Sequence, residues 1–246
     1  MGGCAEQRIT GMSGTSRRTL IGIAVVLAAV TLGGCGSSSG TEAPADNGVA
    51  ALSVTEILAK SSAAVKVATS VHVVGDAGTT SLDLVLTRTQ GSSGTITSDG
   101  QPATVLVTGD NVFLKADKAF WTKAGGAVAA TLIGDRWVKA PKGADSSFAA
   151  LASFADYTKF LEGALKPTGD ITKGVPKTVN GVPCIGLSST KGGTLYVATN
   201  GEPLPIRIEP PAGTKGGVDF KDWNTATPLP EPTGDAVIDY ETIKKG

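Results

Sequence analysis

Turn signals at short intervals constrain this chain more than any other feature. Asp99-Gly100, Gly109-Asp110-Asn111, Asn180-Gly181 and Asn200-Gly201 each separate β-type runs, and Asn-Gly or Asp-Gly between such runs is what tight hairpins require. The runs 104–108, 112–116, 193–199, 205–209 and 217–221 lie too close together for the crossover helices of a parallel sheet. From Ser70 the period is two. Leu82, Leu84 and Leu86 alternate with Asp83, Val85 and Thr87, the pattern of a half-buried strand. The expectation is an antiparallel meander.

Helical signals interrupt it. Ser53-Val54-Thr55-Glu56 is a capping box, and Ile57, Leu58, Val65 and Ala68 continue an apolar stripe, so a first helix is expected from about 54 to 68. The Ala-rich stretch 123–133 is a weaker helix, diluted by Gly125 and Gly126. The stretch 147–165 is stronger: Phe148, Leu151, Phe154, Ala155, Leu161 and Leu165 fall near one face, and Pro167 ends it. Pro228-Leu229-Pro230-Glu231-Pro232 cannot join a sheet interior. Together these predict an α+β fold, one long antiparallel sheet with helices gathered on one face.

Ahead of this domain lies an export signal. Arg17 and Arg18 precede the uncharged run 20–32, too short to span a bilayer comfortably, and Leu32-Gly33-Gly34-Cys35 closes it. That ending looks like a bacterial lipobox, in which Cys35 is acylated and becomes the new N-terminus. Met12 is an alternative start, and Ser16-Arg17-Arg18 partly matches a twin-arginine signal, which leaves the export route open. The expected divisions are a removed leader (1–34), the lipidated Cys35 with a Gly/Ser/Pro-rich tether (35–51), a folded domain (52–232) and a tail (233–246). The tether's Gly36, Ser38 and Gly40 match a hydrolase elbow only in spelling, because neither the strand nor the helix that motif needs is there.

Removing the leader takes Arg8, Arg17, Arg18 and Glu6, leaving 19 basic against 21 acidic residues. A chain so nearly neutral has no electrostatic footprint for nucleic acid and no polybasic cluster to hold it on anionic lipid. Attachment to the cytoplasmic membrane, on its extracytoplasmic face, therefore falls to Cys35. Cys4 leaves with the leader, so Cys184 is alone in the domain and reads as a small buried hydrophobe. His72 is the one histidine and lies in a strand-like run. With one His and one usable Cys, neither a zinc site nor a Ser-His-Asp triad assembles readily. Asp83, Asp110, Asp219 and Asp222 read as solvated charges at strand exteriors or turns. No catalytic residue, metal ligand or cofactor is assigned, and no enzyme is expected.

What remains is an apolar sheet face poor in aromatics, which are 5% of the chain. Composition alone leaves two outcomes open: ordinary close packing, the default for interiors, or a lined cavity.

The order of several segments adds to this. A helix ending near Ser70-Val71-His72 is followed by Leu-rich strands, then 109–115 (GDNVFLK), 120–123 (FWTK) and 136–139 (RWVK). Leu195-Tyr196-Val197-Ala198 then turns into 204–209 (LPIRIE), and 218–223 (VDFKDW) closes the pattern. Behind a lipobox, this order resembles the actinobacterial lipoproteins of the LppX/LprAFG family over roughly Leu52 to Pro232. The resemblance implies a half-barrel similar to LolA/LolB-type carriers: a strongly curved antiparallel sheet with helices covering its concave face around a hydrophobic cavity. It also implies a monomeric carrier that binds acylated lipid or glycolipid and moves it through the envelope, with an envelope transporter as candidate partner. The expected lining is one alternating face of each strand (Leu82, Leu84, Leu86, Val105, Val107, Val112, Leu114, Ile206, Ile208, Val218 and Phe220). The helices would add Ile57, Leu58, Phe148, Leu151 and Leu161. Trp121, Trp137 and Trp223 are expected as packing or rim anchors. The competing readings are an envelope sensor or interaction module of the same fold and a structural lipoprotein with a solid core.

Overall fold

The computed structural model describes residues 45–166 and 168–244. The expected leader, Cys35 and the tether up to residue 44 lie outside the described residues. The elements, in chain order, are α1 (Val54–Val67), β1 (Ser70–Ala77), β2 (Thr80–Thr87), β3 (Ser92–Ser98), β4 (Gln101–Thr108), β5 (Asn111–Ala116), α2 (Lys118–Ile133), β6 (Trp137–Pro141), α3 (Ser146–Phe154), α4 (Tyr157–Leu165), β7 (Ile171–Val179), β8 (Val182–Ser189), β9 (Thr194–Ala198), β10 (Pro205–Glu209), β11 (Gly217–Lys221), β12 (Val237–Asp239) and α5 (Tyr240–Lys244). The strands form one curved sheet in the order β12-β6-β5-β4-β3-β2-β1-β11-β10-β9-β8-β7. Neighbours pair antiparallel except β12, which runs parallel to β6.

Local chemistry accounts for these elements. The capping box is present: Ser53 N donates to Glu56 Oε2 (2.9 Å) and Glu56 N to Ser53 Oγ (3.4 Å). The orphan carbonyls at the other end of α1 are satisfied from outside. Tyr157 OH donates to Val65 O (2.8 Å) and Ala68 O (3.1 Å), and Arg88 donates to both as well. Asp99-Gly100 and Asn180-Gly181 take positive φ at both positions, as the mirror-image hairpin turns demand.

Several expectations need correction. The single helix over 147–165 is two, α3 and α4. Asp156 sits between them in extended conformation, and its Oδ1 accepts from Lys159 N (2.9 Å), so a strong N-cap residue starts a new helix where the apolar stripe suggested continuity. Phe154, expected on the buried face, is 48% exposed. Helix α2 begins five residues early, capped by Asp117 (Phe120 N to Oδ1, 2.7 Å), and breaks at Gly126 (φ 84°, ψ 174°). The tail after Pro232 is not a loose end: β12 extends the sheet, and the Tyr240 ring lies 4.9 Å from that of Phe148. The Pro-rich stretch does stay out of the sheet. Leu229 N donates to Ser93 Oγ (2.7 Å), and Ser93 pairs with Val85 and Leu106. This lays the stretch over the face opposite the helices, where Leu106 and Phe113 are each only 1% exposed.

The main core lies between the sheet and the helices. It joins Val71, Val73, Leu84, Val105, Val112 and Val138 of the strands to Ala64 and Val65 of α1, Trp121 and Ile133 of α2, Phe148 of α3 and Leu161 of α4. A second cluster packs Val49 and Ile57 on Ile185, Leu187 and Val197, and a third gathers Val179, Cys184, Tyr196 and Ile206.

Strand β3 reads Ser-Ser-Gly-Thr-Ile-Thr-Ser and is a strand because both neighbours pair with it throughout. Gly94 takes φ 152°, and a Cβ there would meet Asp83 O at 2.0 Å. Replacing Gly94 with Ala is expected to destabilise the chain by about 1–3 kcal/mol, read as a lower urea midpoint; an unchanged midpoint would contradict the close approach of β2 and β3.

Candidate functional site

The antiparallel register sorts the loops into two ends. One end carries loop 88–91, turn 109–110, residues 142–145 and turn 199–204; the other carries turns 78–79 and 99–100, the start of α2 and loop 190–193. Apolar space collects toward the second end.

Two pockets adjoin there, of about 400 and 410 Å³. Both are walled by Leu114 of β5, Phe120 and Ala124 of α2, and Leu151 of α3. The first extends under α2 along Trp121, Ala129 and Ile133 to Val138, Phe148 and α5; the second opens past Ile96 and Ala103 toward the 99–100 turn. Helix α2 is positioned for this by its cap and by Trp121, whose Nε1 donates to Ala116 O (3.2 Å) while its ring meets Phe120 edge-on at 5.0 Å. Polar groups stand at the rims: Asp99, Gln101 and Lys123 at one, Asp145 and Lys244 at the other. Tyr240 OH donates to Asp145 Oδ2 (2.7 Å), and this bond, with smaller help from burial, holds the phenol proton above its usual range. Chemically, the crevice can accept hydrocarbon and offers polar partners only at its edges.

A smaller pocket of about 250 Å³ lies between Leu58 of α1, the end of α4 and the β7–β9 strands, with Leu187, Leu195 and Ile208 in its wall. Among the described residues, this smaller pocket shares no lining residue with the other two.

The expected lining residues accordingly divide. Leu114, Phe148 and Leu151 wall the crevice, and Leu58 and Ile208 wall the smaller pocket. Leu82, Leu84, Leu86, Val105, Val107, Val112, Leu161 and Phe220 are buried in the main core, with Val218 packed against it. Ile57 sits in the second cluster. Ile206 is separated from Ile208 although they share parity. The register shifts between Pro205 and Arg207, a bulge that turns Ile206 into the outer cluster. The α2 contribution was missed, Phe120, Ala124, Ala129 and Ile133 above all. The available signal was the uncharged run 124–134, discounted because of its paired glycines.

His72 is held between carboxylates, Nε2 at 2.6 Å from Asp83 Oδ1 and Nδ1 at 3.2 Å from Asp222 Oδ2. It ties β1 to β2 and to the residue after β11. Among the described residues no group of His, Cys, Asp or Glu is arranged to hold a metal ion, and no helix is long and apolar enough to cross a membrane.

No family model and no curated protein matches the chain. Among solved structures, LprF from Mycobacterium bovis matches at a TM-score of 0.51 with 17% identity, over 78% of this chain and 100% of that one. The lipoprotein LppX of Mycobacterium tuberculosis matches at 0.44 with 18% identity, over 71% and 98%. The likeness to LprF establishes a shared fold.

Cys184 is fully buried, its Sγ donates to Val182 O (3.3 Å), and burial pushes the thiol up to about 11. A Cys4→Ser, Cys35→Ser chain should therefore show no reaction with an aromatic disulfide reagent at pH 8 until denaturant is added. Rapid reaction of the folded chain would contradict the burial.

Proposed function

We propose that this chain is a membrane-anchored extracytoplasmic lipoprotein that binds acylated lipid or glycolipid in the crevice between α2, α3 and the sheet. It is held at the cytoplasmic membrane through lipid on Cys35, acts as a monomer, and passes its cargo to an envelope transporter. One observation carries the reading: two adjoining apolar pockets share Leu114, Phe120, Ala124 and Leu151. Rotation of Phe120 and Leu151 would merge them into one channel, within the size range of small-ligand sites. The energetic demand fits. Exposing a sixteen-carbon chain to water costs on the order of 12 kcal/mol, so a carrier must hide the tail and needs a wet rim only for the head. The break at Gly126 divides α2 into two segments, both of which line the crevice.

The interaction-module reading draws support from one feature. Ala127, Val128, Thr131 and Leu132 form an uncharged face on α2, with Val128 74% exposed. That face suits a docking partner as well as a bilayer surface.

Chain purified from membranes and extracted into organic solvent should yield stoichiometric acyl lipid by mass spectrometry. Leu151→Trp, which fills the shared wall, should cut the bound fraction severalfold while leaving the urea midpoint close to that of the parent. Lipid-free parent protein, or loading indifferent to Leu151→Trp, would overturn the proposal.

A further inference from the structure

Helix α3 has two sides. Phe148 and Leu151 face the apolar crevice, whereas Ala152, with Ala155 just beyond the helix, faces a separate pocket of about 310 Å³ at the other end of the sheet. This second pocket is lined by Arg88 and Thr89 after β2, Thr108 at the end of β4 and Gly109 after it, Lys142 after β6, and Asp156, Tyr157 and Thr158 at the start of α4. Its character is polar and cationic.

The arginine is fixed in place. Arg88 Nε donates to Ala68 O and Nη2 to Val65 O, both at 3.2 Å, and the guanidinium lies 5.7 Å from the centre of the Tyr157 ring. Nη1 remains without a carbonyl or carboxylate partner among the described residues, and so does Lys142 Nζ. Asp156 is the opposing charge, but one of its oxygens is engaged in capping α4. The pocket thus presents a net positive charge with free N–H groups and threonine hydroxyls, which is the donor set a phosphate oxygen accepts from.

The first described residues lie at the same sheet end as this pocket. Gly201 N donates to Ala45 O (3.0 Å) and Asn47 N to Thr199 O (2.8 Å), so the segment leading back to Cys35 departs from the same sheet end.

We propose that the Arg88–Lys142 pocket is an anion site for a phosphate group, either the phosphodiester of an anionic lipid head or free phosphate. Its placement next to a membrane rests on the lipoprotein reading; its chemistry does not.

The test titrates the full chain in detergent with inorganic phosphate and, separately, with glycerophosphoglycerol, followed by calorimetry. Saturable binding of either probe is expected, weakened about tenfold or more by Lys142→Glu and retained by Lys142→Arg. Tighter binding of the diester identifies a lipid head as the source, and tighter binding of inorganic phosphate identifies the free ion. Absence of saturable binding, or binding indifferent to Lys142→Glu, overturns the site. Phosphate binding by a chain whose crevice carries no acyl lipid would leave this site standing and remove only the lipid-carrier reading.

Discussion

Covering one apolar face of a long sheet is the constraint on which the rest of this structure depends. Val71, Val73, Leu84, Val105, Val112 and Val138 all point to the same side, and leaving that side wet would forfeit roughly 25 cal/mol for each Å² of apolar surface. Antiparallel hairpins cannot supply the cover, because their connections are too short. The cover comes from α1 before the first strand and from the two long connections, β5 to β6 through α2 and β6 to β7 through α3 and α4. The Pro-rich segment then lies over the opposite face, where Leu106 and Phe113 are buried, and β12 extends the sheet's edge.

How well each helix fills its share of the face decides where space is left. Helix α1 and helix α4 bring Ile57, Val65, Tyr157 and Leu161, all buried, and leave only the smaller pocket against β7–β9. Helices α2 and α3 are built largely of Ala, Gly, Ser and Thr. Small side chains against Val and Leu leave voids that interiors ordinarily avoid, and the crevice lies along that boundary. The greasy face is therefore mostly spent on the protein's own packing, with the two larger apolar pockets on the α2–α3 side and a smaller one between α1, α4 and β7–β9.

Regular patterns in the sequence were legible, and features set by context were not. The Leu82/Leu84/Leu86 alternation, the Ser53–Glu56 box and the Asn180-Gly181 turn each state their structure locally, and each is found as read. Strand β3 carries almost no apolar signal and exists because β2 and β4 flank it. The break at Asp156 sets capping against periodicity, and capping prevails. The expected strand residues share the helix-facing core except at the bulge between Pro205 and Arg207, where Ile206 joins another cluster. What sequence could not convey is which buried side chains meet helices and which meet empty space, since that depends on the volumes facing them across the core.

Amide hydrogen exchange of the purified chain, with and without bound acyl lipid, addresses the central claim most directly. The account predicts that added protection concentrates in α2, α3 and the β5 segment around Leu114, while β1, β2 and α1 exchange alike in both states. Protection confined to α1 and α4, or identical exchange everywhere with lipid shown to be bound, would contradict it.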